Sequence, residues 1–292
     1  MPPPCSNNMP HSCIIEFVMA LVVNSLASGS SGNSILVREG HTSLLIDVGI
    51  GIRTLTSAML SVGSHPSELS GILITHEHSD HIKSAFRTAA RYKVPLIANA
   101  PTLERVNGAE YVPSSVLDVG EEMTLGDLRV RSFPISHDAV RPVGYTIMST
   151  KSSVCSTTDT GILTPEIIAE ASQADLLILE SNHDAEMLRT GPYPGYLKRR
   201  VAGDQGHLSN DTAAGLLLDL AESGHPASVW LAHLSKTNNS PAVALTTAQY
   251  LLWSCLGTTM DIGVALRDAP SLEWRERERP VQLSLFVADT NT

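Results

Sequence analysis

Short apolar runs separated by turn residues dominate the chain from residue 20 onward. Four to eight apolar or β-branched residues bounded by Gly, Asn, Asp or Ser predict a β-strand, whereas apolar residues recurring every three or four positions predict an amphipathic helix. In the first part of the chain these patterns predict strands at 20–27, 35–40, 41–49 and 71–76, with a helix at 52–63.

The rest of the chain continues the alternation. The predicted elements are, in order, a helix at 82–94, a short strand at 95–100, a short helix at 101–108, strands at 121–138, 141–150 and 151–161, a helix at 164–173, a strand at 174–184, a helix at 209–223, a strand at 227–234 and a helix at 240–255. Two β-rich series thus each give way to βα units. Two sheets packed face to face with helices outside suit this order, so we expect an α/β fold.

The periodic pattern also sets the expected domain boundaries. We predict one folded domain over 19–255, preceded by a loose N-terminal extension over 1–18, with Met19 as a candidate start of the protein. Regular apolar spacing fails after about residue 255, which predicts a mostly flexible tail over 256–292.

Composition and charge narrow the functional classes. The formal net charge is −10, which argues against unspecific coating of nucleic acid but leaves room for a local phosphate site beside bound cations. The four cysteines are scattered without a CxxC pair, so we expect reduced thiols in a cytoplasmic protein rather than a disulfide framework or a zinc finger.

We expect no membrane association from the sequence. The apolar stretch at 13–23 is too short to span a bilayer and contains Glu16. No Lys or Arg precedes Arg38, so the basic segment of a secretory signal is missing.

The segment THEHSDH at 75–81 concentrates metal-ligand residue types directly after a predicted strand. Because a loop that leaves a strand can direct alternate side chains to two sides, His76 and His78 are candidates for one metal ion, and Asp80 and His81 for another. Imidazole and carboxylate together suit Zn²⁺, Mn²⁺ or Fe²⁺.

Further ligands are expected at the ends of other strands, where loops meet at one sheet edge. Three ligand-type residues occupy such places: His137, Asp159 and His233. Asp159 is the candidate for bridging two ions, because a carboxylate has two oxygens.

With these three residues downstream, THEHSDH resembles the motif of the metallo-β-lactamase superfamily, whose αββα fold is a sandwich of two facing β-sheets with helices outside. SLASGSSGNS, LLIDVG, SHDAVRPVGYTI, TDTG, LESNHD, GHLSN and LAHLSKTNN further resemble the YycJ/WalJ-like branch, over about residues 20–255. That branch is regarded as metal-dependent nucleases, with 5′ exonuclease activity on DNA as the leading assignment. The resemblance implies that His76, His78 and His137 hold a first divalent metal, that Asp80, His81 and His233 hold a second, and that Asp159 bridges them.

A likeness to tRNA 3′-processing ribonucleases adds a candidate proton-donating pair. In those enzymes a Glu and a downstream His cooperate, and the matching positions are Glu180 and His207. The implied mechanism uses a hydroxide shared by two ions as the nucleophile, Asp80 to orient it, and His207 to protonate the leaving oxygen. The alternative for His207 is a purely structural place at the start of a helix.

Other residues are candidates for contacts with substrate. They are His183, whose role is not fixed by the pattern, Ser235, Asn238 and Asn239 after the last ligand, and the basic run Lys198, Arg199 and Arg200. Ordinary turn chemistry and a solvated helix face are the alternatives for the last two groups. The small residues of 28–33 are expected to pack under the metal site, and Asp47 to support it by hydrogen bonds.

The sequence QLSLF near the C-terminus resembles the short peptide by which bacterial repair and replication proteins bind the sliding clamp. Gln282 would form hydrogen bonds, while Leu283, Leu285 and Phe286 would fill an apolar groove, and a flexible connection would raise the effective concentration. A short edge strand or a chance match is the alternative.

Three functional hypotheses follow. The first is a two-metal 5′ to 3′ DNA exonuclease acting in DNA repair on single strands or duplex ends. The second is another metallo-hydrolase of the same fold, either an RNA-processing nuclease or a glyoxalase-like thioester or ester hydrolase. The third is a non-catalytic adaptor bound to the clamp, whose signature would be lost ligands, and no ligand position is lost here.

Overall fold

Two seven-stranded β-sheets face each other in the computed structural model, which describes residues 20–225 and 228–276 of the 292-residue chain. The first sheet contains β1 Val22–Ala27, β2 Ser34–Glu39, β3 Thr42–Ile46, β4 Gly71–Leu73, β5 Leu96–Ala98 and β6 Ser114–Val116. The second contains β7 Glu122–Leu125, β8 Leu128–Pro134, β9 Val143–Met148, β10 Ser153–Thr157, β11 Leu176–Glu180, β12 Ser228–Ala232 and β13 Ile262–Val264. A final strand, β14 Leu272–Arg275, returns to the first sheet and pairs with β1.

Helices cover the outer face of each sheet, as the sequence predicted. The helices are α1 Ile52–Ser61, α2 Ser79–Ile82, α3 Ala85–Tyr92, α4 Ala100–Leu103, α5 Pro165–Ala171, α6 Ala185–Thr190, α7 Gly195–Val201, α8 Asn210–Glu222 and α9 Pro241–Leu256, with short 3₁₀ turns at Pro66–Glu68 and Ala109–Tyr111. This αββα sandwich confirms the predicted fold class.

Strand β3 shows how the sequence pattern builds the layers. Its residues are all buried, but successive side chains point to opposite faces of the sheet. Leu44 and Ile46 therefore join the core between the sheets, whereas Leu45 packs among the residues under α1 and α3. Because both faces of the strand are covered, its sequence is a continuous apolar run rather than an alternation of apolar and polar residues.

The folded domain extends further than the sequence predicted. The expectation of a mostly flexible tail after residue 255 is wrong for β13 and β14, which complete one edge of each sheet. Both strands are only three or four residues long and mostly half-buried, so they lack the alternation that marks a longer strand. The predicted extension at 1–18 and the peptide at 282–286 lie outside the described residues.

The predicted helix at 82–94 is divided in the structure. Helix α2 ends at Ile82 and α3 begins at Ala85, because the Ser84 backbone N–H donates to the carbonyl of Val48 instead of continuing one helix. Two further helices, α6 and α7, occupy 185–201, where the sequence predicted none. Within the described residues no helix is both long and apolar enough to cross a bilayer.

Strand directions bring several loops to one rim of the sandwich. Strands β3, β4 and β5 are parallel, as are β10, β11 and β12, so the carboxyl ends of each set lie together. The polar segments predicted to carry chemistry follow these ends. We call this edge of the sandwich the site rim.

Candidate metal centre

The ligand-type residues converge on the site rim from separate strand ends. His76, His78, Asp80 and His81 follow β4, whereas His137, Asp159 and His233 follow β8, β10 and β12. Each of these residues offers a donor atom to at least one group whose members all lie within 4.8 Å of one another. The structure therefore brings together all seven residues that the sequence predicted.

Three residues of the rim adopt left-handed backbone conformations that residues other than glycine rarely take. They are Asp47 with φ 62°, Asp159 with φ 60° and His233 with φ 55°. Each follows directly after the end of a strand or comes within two residues of it, where the chain must turn sharply to present the side chain to the rim. Such conformations cost roughly 1–3 kcal/mol each and concentrate at functional sites.

One group consists of His76, His78 and His137. The Nε2 of His137 lies 3.3 Å from Nδ1 of His78, and the Nδ1–H of His137 donates to the backbone carbonyl of Gly206 at 3.0 Å. That hydrogen bond fixes the tautomer, so the Nε2 lone pair of His137 faces the group.

A second group consists of Asp80, His81 and His233. One oxygen of Asp80 lies 3.7 Å from Nε2 of His81 and 3.6 Å from Nε2 of His233. The Nδ1–H of His81 donates to Asp47 at 2.7 Å, and the Nδ1–H of His233 donates to Glu180 at 2.9 Å. Both rings thus turn Nε2 towards the shared carboxylate.

Asp159 lies between the two groups. Its Oδ2 is 3.1 Å from Nε2 of His81, and its Oδ1 is 3.7 Å from Nε2 of His137. Its side chain is 3% exposed. A buried carboxylate in this position can offer one oxygen to each group, which is the arrangement expected of a bridging ligand.

The donor set fits divalent cations. Within the described part of the chain, His76 Nε2, His233 Nε2 and Asp159 Oδ2 are buried and make no hydrogen bond. Buried polar atoms are rarely left without a partner, and these three point into one cluster. In four imidazoles Nδ1 is held by a protein acceptor and Nε2 faces the cluster, which is the orientation in which histidine binds metals.

The charge balance of the rim also favours cations. Burial, together with the nearby His81, holds the pKa of His76 well below its ordinary value, so its ring is neutral and able to coordinate. Burial would raise the pKa of Asp159, but His233 and His81 outweigh it and keep that pKa well below the ordinary value. Burial would lower the pKa of His233, but the Asp159 carboxylate outweighs it and raises that pKa to about 10, and the pKa of His81 is raised as well. A divalent cation would therefore displace protons from these two rings when it binds.

Asp47 supports His81 rather than joining the ligand groups, as predicted. Its Oδ2 accepts from His81 Nδ1 and from the Thr75 hydroxyl at 2.8 Å, and its Oδ1 accepts from the Thr75 backbone N–H at 2.9 Å. The Thr75 hydroxyl in turn lies 3.0 Å from Nδ1 of His76. Asp47 thus orients one histidine of each group, His81 directly and His76 through Thr75.

Glu180 and His207 form the predicted pair beside the ligands. Glu180 Oε1 accepts from Nδ1 of His207 at 2.8 Å, and its Oε2 accepts from the backbone N–H of Thr160 at 2.8 Å. Burial would lower the pKa of His207, but the Glu180 carboxylate outweighs it and raises that pKa. The ring is about one-fifth exposed, so its Nε2 can reach a molecule bound at the rim.

The loop of small residues at 28–33 packs against the metal-ligand loop, as predicted. The backbone N–H of Asn33 donates to the carbonyl of Asp80, and the Asn33 amide lies 3.0 Å from His81 Nε2. Gly49 lies in the same contact, where an added Cβ would come 1.6 Å from the Asp80 carbonyl oxygen. Only glycine allows the chain to pass this close to Asp80.

The predicted substrate contacts after His233 differ in how their polar groups are occupied in the structure. Asn239 is buried, and its amide is occupied by Ser181, Asn182 and Asn210, so it holds loops together and is not free to bind phosphate. Ser235 accepts from the backbone N–H of Asn238, while Asn238 Oδ1 makes no hydrogen bond to the described residues.

Two residues of the basic run on α7, which the sequence predicted to contact substrate, have partners within the protein, and that prediction stays a prediction. Arg200 forms an ion pair with Asp138 at 2.6 Å, and Lys198 donates to the carbonyl of Arg189. Arg199 is exposed. A bound strand would have to compete with Asp138 for Arg200.

His183 lies near the rim without joining a ligand group. It is 3% exposed, and its Nδ1 makes no hydrogen bond within the described residues. Burial, opposed by Glu180, lowers its pKa. The ring is therefore buried and neutral.

Sequence reasoning missed Thr75, the carbonyl of Gly206 and the backbone of Thr160. Thr75 is the first residue of the THEHSDH segment, and its hydroxyl next to the predicted ligand His76 was a signal in the sequence. The backbone groups of Gly206 and Thr160 carry no side-chain signal, so only the structure could reveal them.

Comparisons with known proteins agree with this geometry. A family model described as a β-lactamase superfamily domain matches residues 42–234. The protein named exodeoxyribonuclease WalJ of Streptococcus pneumoniae serotype 2 is 37% identical over 246 residues, covering 82% of this chain and 91% of that protein. Exodeoxyribonuclease YycJ of Bacillus anthracis is 37% identical over 234 residues, covering 77% and 87%.

Solved structures share the fold at low sequence identity. The metallo-β-lactamase fold protein YhfI of Bacillus subtilis superposes with a TM-score of 0.68 at 18% identity, covering 88% of this chain and 100% of that chain. Zinc-bound PqqB of Methylobacterium extorquens has a TM-score of 0.64 at 18% identity, covering 87% and 99%. These similarities support the architecture alone.

Proposed function

Because the chain belongs to the metallo-β-lactamase superfamily, in the branch of the WalJ and YycJ proteins, we propose that it is a metal-dependent DNA exonuclease that degrades strands from the 5′ end. The relatives that carry the exodeoxyribonuclease name match this chain over most of their length. The observation that carries the proposal is the joint presence of the seven ligand residues and the Glu180–His207 pair at one rim.

We propose two divalent cations, held by the two ligand groups that share Asp159. His76, His78 and His137 would hold one, and Asp80, His81 and His233 the other. Zinc, manganese and iron all suit this set of imidazoles and carboxylates. When bound, such ions supply Lewis acidity that activates water and neutralises charge on a phosphodiester.

The protein groups around the ligands have separate tasks in this proposal. Glu180 accepts from His207 Nδ1 and keeps the ring protonated, so His207 Nε2–H can donate a proton to the oxygen that leaves the phosphate. Asp80 is more exposed than the other ligand carboxylate, at 21% of its side chain against 3% for Asp159, and can orient the attacking water.

The test combines reconstitution with a substrate panel. Purified protein is stripped with chelator, reloaded with zinc or manganese, and supplied with single-stranded DNA, duplex DNA, RNA and a glutathione thioester. Labels placed at either DNA end report polarity, because a 5′ exonuclease releases a 5′ label first as a mononucleotide. Metal-dependent release from DNA is expected, and digestion of RNA or thioester without digestion of DNA would reject the proposal.

An RNA-processing nuclease remains the second candidate, because a Glu–His pair beside the ligands resembles tRNA 3′-processing enzymes. The same panel decides between the two. A thioester hydrolase is a weaker alternative, since it has no use for a group that protonates an alkoxide leaving oxygen. The adaptor hypothesis predicts no turnover of any substrate, although all ligand positions are present.

A cytoplasmic location and clamp binding complete the proposal. The scattered cysteines favour a reducing compartment. Gln282, Leu283, Leu285 and Phe286 lie outside the described residues, and the proposal for them rests on the QLSLF motif. Removal of 281–292 should abolish co-purification with a bacterial sliding clamp and leave hydrolysis unchanged, while retained binding would exclude the motif.

A further inference from the structure

A row of basic side chains extends from the site rim along α3. Arg87 and Arg91 are four residues apart on α3, which places them on one face, and Lys83 precedes the helix, before the break at Ser84. Burial follows the same period, since Lys83, Arg87 and Arg91 are exposed whereas Ala85 and Ala89 are buried in the core below. Arg53 on α1 is exposed as well. We call these four residues the α1–α3 basic surface.

The α1–α3 basic surface has no acidic partners in the structure. Within residues 20–225 and 228–276, none of its four side chains forms an ion pair. Lys93 and Arg105 also form none, so the surface is distinguished by the spacing of its charges along α3 and not by the lack of ion pairs alone. In a chain with a net charge of −10, four exposed cations without ion pairs on and beside two neighbouring helices form a locally basic surface. Such a patch attracts a polyanion.

A groove between the two helices adds aromatic surface to these charges. It has a volume of about 410 Å³ and is lined by Arg53, Arg91, His65 and Tyr92, among others. The Arg91 guanidinium lies 5.5 Å from the centre of the Tyr92 ring, and the His65 and Tyr92 rings meet edge to face at 5.8 Å. Cations beside aromatic rings are how proteins bind single-stranded nucleic acid without regard to sequence.

The surface is continuous with the metal-ligand loop. Lys83 is two residues after His81 and lines a second groove of about 270 Å³ together with Ser31, Thr54 and Arg267. Asp268 also lines this groove, and its carboxylate accepts from the Ser31 hydroxyl. The groove leads from the loop at 28–33, which contacts Asp80, to the beginning of α1.

We infer that the α1–α3 basic surface holds the single-stranded part of a DNA substrate beside the hydrolytic site. This inference rests on the proposed function and assigns the strand to a face that α7 does not share. Within α3, Arg87 and Arg91 lie about 6 Å apart along the helix axis at 1.5 Å per residue, and Lys83 extends the surface beyond the start of the helix. The separation of the two arginines corresponds to roughly two phosphates of a stacked strand at 3.4 Å each.

The test compares two triple variants that each remove three positive charges. The surface variant is Arg53→Ala/Arg87→Ala/Arg91→Ala, which leaves Lys83 next to the ligand loop intact. The control is Arg129→Ala/Lys151→Ala/Arg275→Ala, with Arg129 in β8, Arg275 in β14 and Lys151 in the turn between β9 and β10, all away from the site rim. Both variants keep the complete chain and its metals.

Two measurements are made on each metal-loaded protein. Anisotropy with a labelled 20-nucleotide single strand gives Kd as a function of salt, and hydrolysis of bis(p-nitrophenyl) phosphate reports the centre alone, because that ester is too small to reach α3. The surface variant should bind the strand at least tenfold more weakly, with the slope of log K against log salt reduced by about two. The control should stay within twofold of wild type.

The outcomes separate this inference from the proposed function. Equal binding by the two variants would overturn the inference, whether or not DNA is cut. Weaker binding of RNA with unchanged binding of DNA would overturn it as well. Failure to cut DNA with a strong, surface-dependent affinity would reject the proposed function while leaving the surface as a DNA-binding face.

Discussion

Replacing Asp47 by Asn tests whether a residue that contacts no metal decides metal affinity. Asn keeps one carbonyl oxygen, which can still accept from the Thr75 backbone N–H, but it presents an NH₂ group to His81 Nδ1, where Asp47 accepts at 2.7 Å. An NH₂ group cannot accept, so the His81 ring is driven to the other tautomer, with its proton on Nε2. That proton occupies the lone pair which the second ligand group needs.

The size of the effect follows from the number of partners disturbed. Asp47 holds His81 directly and His76 through the Thr75 hydroxyl, so one substitution affects both ligand groups. Loss of a single outer partner of a ligating histidine lowers metal affinity about 10- to 100-fold, which equals about 1.4–2.7 kcal/mol. We expect Asp47→Asn to fall at the upper end of that range.

The assay is a zinc or manganese titration against a chelating indicator, followed by DNA hydrolysis at saturating metal. Asn tolerates the left-handed backbone at position 47 as well as Asp does, so the fold should survive. Asp127→Asn is the matched control, because that carboxylate accepts from His41 and Thr42 at the opposite end of β3. A metal affinity within twofold of wild type, in a folded Asp47→Asn protein, would refute the argument.

Three further predictions follow from the structure. His207→Ala should lower the rate of DNA hydrolysis by roughly 10²–10⁴-fold with unchanged metal content. The rate on a p-nitrophenyl phosphodiester, whose leaving group needs no proton, should fall far less. Equal losses of rate on both substrates would contradict the role of His207 as the acid. Gly49→Ala should abolish metal binding because its Cβ would overlap the Asp80 carbonyl, whereas Gly215→Ala in α8, where the Cβ meets open space, should raise the free energy of unfolding by up to about 1 kcal/mol. Burial, with Glu276 and Asp127 nearby, raises the pKa of Glu39 to about 7. A carboxyl group with a raised pKa contributes stability that is complete below about pH 4.5 and is lost as the pH rises through 7. Glu39→Gln should therefore raise Tm over wild type at pH 8 but not at pH 4.5. An equal gain in Tm at both pH values would contradict this.

The metal ligands could be predicted from the sequence because each carries its own signal. His76 to His81 stand in one short segment, and His137, Asp159 and His233 each follow an apolar strand. The carboxyl ends of parallel strands meet at one edge of a sheet, so a residue that directly follows such a strand can be predicted to lie at that edge. The fold class follows from the same regular alternation of strands and helices.

What could not be predicted depends on partners distant in sequence. The Arg200–Asp138 ion pair joins residues 62 positions apart, so the LKRR run alone gave no sign that its charges are in use. The polar Asn239 was equally ambiguous, since only its three amide partners reveal a structural role. Short edge strands such as β13 are missed because their stability comes from a neighbouring strand rather than from a pattern of their own.

The left-handed backbone at Asp159 has a consequence for how this protein can change. Glycine would adopt that conformation without strain, but Asp159→Gly would also remove the carboxylate that His233 and His81 stabilise, so the two effects on the stability of the metal-free chain oppose each other. Relief of backbone strain at this position therefore cannot be separated from loss of the carboxylate that the two ligand groups share. Any engineering of a more heat-stable form must therefore include hydrolysis in the screen.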